Sequence, residues 1–307
     1  MRYTVVLTAD FPAITTELLS SHFDVIRHPT EHERTEDEMI TLLSEADAAI
    51  TLLTDPITRK VLQSNPNLRV ISNFAVGYNN IDVAAANELG VTITNTPGVL
   101  TEATADLTMA LILAVTRRVV EGHDEIHQQR RCEWEPLKLL GSSLQNKVLG
   151  IIGMGRIGTA VATRAAAFGM QIMSARRGEP IASLLSKSDV VTLHAPLTGE
   201  TRHLIDAAAL ARMKRGAYLI NTARGALVDE VALCEALESG HLAGAGLDVY
   251  EHEPEIEPRL LAIRSAVLLP HIGSATVEAR NDMARLAATN VLDFFRGRQP
   301  QHRVVPS

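Results

Sequence analysis

An arginine, a glutamate and a histidine stand in three short segments of the 307-residue chain: "NTARGALVDE" with Arg224, "GLDVYEHEP" with Glu253 and "LLPHIGSAT" with His271. Each segment follows an apolar run, and in an open α/β fold the carboxyl ends of the strands gather the site. An arginine that holds a carboxylate and polarises a carbonyl, beside a histidine that donates a proton, suits reduction of a 2-oxo acid. The histidine must carry a proton to donate it, and an adjacent carboxylate favours that form. Glu253 takes this part in such a reading; within the acidic loop "EHEPEIEP" it equally suits a cap or a solvated charge.

Reduction also needs a hydride donor. In "GIIGMGRIGTA", Gly153, Gly155 and Gly158 form GxGxxG directly after the apolar run "VLGII" and at the head of an alanine-rich segment. In that strand, turn and helix context the first glycine allows a tight turn and the second lets a pyrophosphate approach the backbone. The third permits close helix packing. The helix start supplies free N–H groups and the positive end of a dipole. NAD-binding versions place an acidic residue about 20 positions on, at the end of the next strand. Here the strand "MQIMSA" ends in Arg176 and Arg177. A carboxylate would repel the 2′-phosphate of NADP, whereas arginine binds it through charge-assisted bonds, so NADP is the preferred cofactor and NAD the alternative. A solvated basic pair at a strand end is the plainer reading.

These residues need elements to hold them. "YTVVL" (3–7) reads as a buried strand, and "TEDEMITLLSEADAAITLL" as a helix followed by a strand, with Thr35 and Glu38 at capping-box spacing. "NLRVISNFAVGYNNIDVAAANELGVTITNTPG" continues the alternation of strand and helix, which implies a parallel sheet covered on its faces. From Thr101, "TEATADLTMALILAVTRR" is a long helix joining two halves, with arginines at its C-terminal end. "SDVVTLHAP", "GAYLINTA", "LAGAGLDVY" and "AVLLP" are four more buried strands after the glycine motif. The last helix, "TVEARNDMARLAATNVLDFFRG", is long enough to return to the first half. The fold class is therefore α/β with two doubly wound parallel-sheet domains. Residues 1–98 with 284–307 form a discontinuous flavodoxin-like substrate domain, and 99–283 a Rossmann nucleotide domain.

Bulk properties narrow the class. The net charge of −7 gives no general attraction to nucleic acid or to an anionic membrane. No apolar run is long enough to span a bilayer, and the N-terminus moves straight into a strand pattern, so a cytoplasmic protein is expected. Cys132 and Cys234 lie far apart without CxxC spacing and read as free thiols. His123 and His127 share helical spacing but lack a third ligand, so no metal is expected.

The blocks "NFAVGYNNIDV", "GIIGMGRIG", "HAPLTGETRHLI", "INTARGALVDE", "GLDVYEHEP" and "LPHIGSAT" resemble the D-isomer-specific 2-hydroxyacid dehydrogenase family across nearly the whole chain. The resemblance implies Arg224 as the substrate-binding catalytic arginine, Glu253 as the histidine's partner and His271 as acid/base. It implies substrate contacts at Leu53, Val76 and Gly77, the latter two through backbone amides. Cofactor contacts are implied at Arg156 and Ile157 within the glycine motif, at Pro196, Thr201, Thr222 and Ala223, at Asp248 toward the nicotinamide carboxamide, and at Gly273. Within the family, "TPGVLTEATADLTMALILA", "WEPLKLLG" and "LPHIGSAT" look most like glyoxylate/hydroxypyruvate reductases, which donate a tryptophan matching Trp134 to the neighbouring subunit's pocket. A homodimer through the nucleotide domain is the expected assembly, with an interface or core role as the plainer one for Trp134. The chain departs from the family in one place: after Arg177 only "GEP" and Ile181 precede the next helix, so an edge strand is expected to be missing.

An NAD-dependent dehydrogenase of phosphoglycerate or D-lactate type shares the scaffold. So does a nicotinamide-sensing corepressor, which would bind the nucleotide without turnover.

Overall fold

The computed structural model describes residues 2–29 and 32–306. The chain divides into two compact units, 1–100 with 275–307 and 101–274. The second junction falls at 275 rather than 284 because helix α12 (Val277–Phe295) is one uninterrupted element, capped at its start by the Thr276 side chain on the Ala279 N–H.

In the first unit β1 (Thr4–Leu7), β2 (Asp24–Arg27), β3 (Ala48–Thr51), β4 (Val70–Asn73) and β5 (Thr92–Thr94) form a parallel sheet in the order β5-β4-β3-β1-β2. The short β12 (Arg303–Val304) adds to β5 antiparallel. The central strands are buried throughout, as continuous apolar runs covered on both faces must be. Helix α2 (Glu36–Leu43) begins with the expected capping box: Thr35 accepts the Glu38 N–H, and Glu38 accepts the Thr35 N–H. Met39, Leu43, Val61, Ile71 and Ala85 belong to one apolar core, and α12 packs beside α1 (Ala13–Leu19) and β4.

In the second unit β6 (Val148–Ile152), β7 (Gln171–Ala175), β8 (Val190–Leu193), β9 (Ala217–Asn221), β10 (Leu242–Leu247) and β11 (Ala266–Leu268) are all parallel, in the order β11-β10-β9-β8-β6-β7. The sheet ends at β7. Between it and α8 (Ala182–Lys187) lies only a turn, so the edge strand is missing as expected. The helix expected from Thr101 is α5 (Thr101–Thr116), and the helical run resumes as α6 (Val119–Gln129). Arg118 breaks it with a left-handed φ of 53°, and its guanidinium pairs with Glu121 instead of the end of α5. Helix α5 buries Ala105, Met109, Leu111, Ile112 and Val115 in the core of this unit alongside Leu149, Ile151 and Ile220. Among the described residues no helix is long and apolar enough to cross a membrane.

Candidate active site

Parallel strands leave their carboxyl ends at one edge of the sheet, and in the second unit three of those ends carry the polar residues singled out above. After β9 the chain runs Thr222, Ala223, Arg224 and then enters a short 3₁₀ turn, Gly225–Leu227. Buried Asn221 shapes this loop: its Nδ2 donates to the Arg224 carbonyl at 2.8 Å and its Oδ1 accepts the Ala223 N–H at 3.0 Å. Gly225 is obligatory, since a Cβ there would overlap the backbone carbonyl of Tyr250. Arg224 is half-buried and its Nη1 donates to the Ala223 carbonyl at 2.6 Å. Burial pushes the guanidinium below its ordinary range, and the nearby Glu253 charge opposes the shift.

After β10, Glu253 is held by two contacts. Its Oε1 accepts the Tyr250 N–H at 2.9 Å, and its Oε2 accepts the His271 Nδ1–H at 2.8 Å. Burial pushes its pKa up, but the hydrogen bond and charge of His271, the Tyr250 amide and the Arg224 charge outweigh it, so the carboxyl lies below its ordinary value. Glu253 is therefore an ionised partner of the imidazole, not a solvated loop charge. With Nδ1 committed to the carboxylate, Nε2 is the histidine nitrogen free for proton transfer.

His271 sits in a left-handed backbone conformation, φ 53°, which non-glycine residues adopt only where the surroundings enforce it. Asp248, fully buried after β10, supplies the enforcement. Its Oδ1 accepts the Ile272 N–H and its Oδ2 the Gly273 N–H, both at 2.7 Å. Burial raises the Asp248 pKa against these bonds and the His271 charge. From helix α5, Thr104 Oγ1 donates to the Gly273 carbonyl at 3.0 Å. Thr108, one turn on, hydrogen-bonds the Thr222 hydroxyl at 2.9 Å. Two threonines of one helix thus brace the loops after β9 and β11. Neither threonine, nor Asn221, was singled out in the sequence; two hydroxyls at helical spacing in an apolar helix were the available signal.

The glycine motif forms the turn its spacing predicts. Gly153 has φ 100°, and a Cβ there would strike the backbone of His194. A Cβ on Gly158 would overlap the Gly153 carbonyl, so the helix start packs against the turn. Gly155 caps α7 (Arg156–Ala167) without a side-chain hydrogen bond, and the space beside its Cα is open. Arg156 and Ile157 open the helix, with Arg156 exposed. A bare cradle at the start of a 12-residue helix fits the diphosphate of a dinucleotide. The Gly153 N–H donates to the Ala175 carbonyl at 2.9 Å, which places the end of β7, and hence Arg176 and Arg177, beside the turn. Both arginines are exposed. After β8, Thr201 Oγ1 donates to the Pro196 carbonyl at 2.8 Å and closes that loop. His194, at its root, is driven by burial down to about 4 and is neutral.

The remaining candidates lie elsewhere. In the first unit Leu53 follows β3, and Val76 and Gly77 follow β4; Asn95 Nδ2 donates to the Val76 carbonyl at 2.7 Å and Asn73 Nδ2 to that of Gly77 at 2.9 Å. In the same unit Arg280 lies over the Phe74 ring, 5.8 Å from its centroid. Trp134 is not a core residue: it is 85% exposed, beside the exposed Leu137 and Leu140, and lines a cavity of about 210 Å³ with Ile126 and Leu139. His123 and His127 lie side by side on α6 with their rings tilted by 54°, and no cluster of three metal-ligating side chains occurs among the described residues.

Comparison with known proteins gives one consistent picture. A model of the D-isomer specific 2-hydroxyacid dehydrogenase, NAD binding domain, matches residues 109–273. A glyoxylate reductase of Korarchaeum cryptofilum is 43% identical over 320 aligned residues, spanning 99% of this chain and 96% of that protein. The crystal structure of a Thermus thermophilus protein superimposes with a TM-score of 0.93 at 44% identity, covering 98% of this chain and all of the other. An NADPH-dependent glyoxylate/hydroxypyruvate reductase of Sinorhizobium meliloti, crystallised with NADP and malonate, gives a TM-score of 0.85 at 30% identity over 99% and 97% of the two chains.

Proposed function

The chain belongs to the D-isomer-specific 2-hydroxyacid dehydrogenase family, and from that premise we propose that it reduces a small 2-oxo acid, glyoxylate or hydroxypyruvate, with NADPH preferred over NADH. The observation that carries the proposal is the His271 Nδ1 to Glu253 Oε2 bond of 2.8 Å beside a half-buried Arg224. A dinucleotide would supply the hydride when bound, and the glycine turn, Arg156, Ile157, Pro196, Thr201, Thr222, Ala223 and Gly273 are the residues that would hold it. Asp248, whose oxygens already grip two backbone amides, has lone pairs left for the carboxamide.

The residues divide the work of reduction. Arg224 binds the substrate carboxylate and polarises the 2-oxo group, and its Nη1 bond to Ala223 fixes the fork. As a C–H bond forms at the carbonyl carbon, the π electrons move to oxygen, and His271 Nε2 delivers the proton that makes the hydroxyl. The imidazolium becomes neutral imidazole in the same event, and Glu253 holds the ring by its Nδ1. Desolvation strengthens each of these interactions.

The NADPH preference rests on Arg176 and Arg177 at the end of β7, and the S. meliloti relative with NADP bound supports the use of NADP. The assembly proposed is a homodimer in which a second copy covers the exposed Trp134, Leu137 and Leu140 surface. Steady-state rates with NADPH and NADH against glyoxylate, hydroxypyruvate and pyruvate test the proposal. A kcat/KM higher with NADPH, on glyoxylate or hydroxypyruvate, is the expected result.

A further inference from the structure

The turn after β7 carries a charge of the opposite sign to the arginines. The Glu179 N–H donates to the Arg176 carbonyl at 3.0 Å, and Gly178 takes a φ of 82° to close the turn. The Glu179 side chain then folds back, and its Oε2 accepts the Arg176 N–H at 2.7 Å. Arg177 meets Glu200, from the loop after β8, at 3.3 Å with both side chains largely exposed. Among the described residues, no hydrogen bond or ion pair engages the Arg176 guanidinium. One arginine side chain therefore meets a carboxylate, and the backbone donor at the strand end already holds an anionic oxygen.

In a dinucleotide fold the end of this strand is where the adenosine ribose is bound and where an arginine accommodates a 2′-phosphate. Resting on the NADPH reading of Arg176 and Arg177, we propose that Glu179 is a specificity-determining residue: its carboxylate competes with the 2′-phosphate for the Arg176 N–H and adds a like charge beside it. A carboxylate three residues along the same turn acts at high effective concentration, so it is a persistent competitor. The missing edge strand creates the arrangement, because only the short "GEP" link brings an acidic side chain back onto the strand end. A nucleotide without a 2′-phosphate places no anion there and leaves the Glu179 bond intact. The carboxylate thus weakens NADPH binding relative to NADH and narrows the preference the arginines create. At so exposed a turn the charge part of the effect is screened by salt.

Calorimetric titration of the full chain with 2′,5′-ADP and with 5′-AMP reads this directly, without turnover. Glu179→Gln is expected to bind 2′,5′-ADP about 3- to 10-fold more tightly at low salt, with 5′-AMP affinity unchanged and the gain reduced near 1 M salt. Glu179→Ala, which removes the acceptor altogether, shifts affinity in the same direction. Unchanged or weaker 2′,5′-ADP binding in both variants, or an equal gain for 5′-AMP, overturns the proposal. Failure of the NADPH reading has a different signature: wild type that binds 2′,5′-ADP no better than 5′-AMP, with no loss on Arg176→Ala.

Discussion

At the scale of single residues, the site is a histidine oriented by two carboxylates that do different things. Glu253 contacts the ring; Asp248 contacts the backbone that carries it. His271→Ala is expected to lower kcat by about 10²–10⁴-fold, the usual loss when a general acid is removed. Glu253 also makes stability depend on pH. Its folded carboxyl lies below the unfolded value, so its contribution is complete above the ordinary carboxylate range and fades as pH falls through the lowered folded value. Urea unfolding of wild type and Glu253→Gln should therefore differ most near neutrality and converge in acid; a gap that stays constant with pH refutes this. Thr104→Val removes the donor to the Gly273 carbonyl and should cost about 1 kcal/mol of stability together with part of kcat, both restored in Thr104→Ser. The arginine, glutamate and histidine were legible in the sequence because each follows a buried strand. Thr104 and Asn221 were not, because their partners are chosen by the folded loops and the Thr104 contact spans most of the nucleotide unit's length.

At the scale of elements, the site depends on turns that tolerate one residue type. Gly225→Ala forces a Cβ into the Tyr250 carbonyl and should destabilise by about 1–3 kcal/mol while displacing Arg224, so the melting temperature and the KM for the oxo acid change together. The end of β7 is the second sensitive element. Arg176→Asp is expected to lower the NADPH to NADH ratio of kcat/KM by about tenfold or more, from loss of a charge-assisted bond and gain of repulsion. An unaltered ratio would mark the pair as surface charge. Strand and helix alternation made the parallel sheets readable, and the shortness of "RRGEP" made the missing edge strand readable. The end of α5 near its two arginines was readable; the left-handed φ of Arg118, from which α6 starts, was not, because nothing in the residue type demands it. The Glu179 bond was hidden for a similar reason: three-residue spacing shows that a side chain is near, not that it folds back.

At the scale of the whole molecule, two units with separate cores share the chain, and the first is closed by a segment from the far C-terminus. Helix α12 supplies buried Met283, Ala284, Ala287, Ala288 and Val291 to that unit, a contribution invisible to any reading that stops at the second sheet. The second unit leaves Trp134, Leu137 and Leu140 exposed, a surface that a second copy would cover. Sedimentation should show a dimer, and Leu137→Lys should shift it toward monomer by placing a charge in the apolar contact. The most direct test of the whole account is the rate of NADPH oxidation when purified protein meets glyoxylate, run beside His271→Ala. The account predicts saturable turnover that falls at least a hundredfold in the variant, by the usual size of lost acid catalysis. Protein that binds NADPH yet leaves its absorbance unchanged with glyoxylate, hydroxypyruvate and pyruvate, or a His271→Ala variant as fast as wild type, would contradict it.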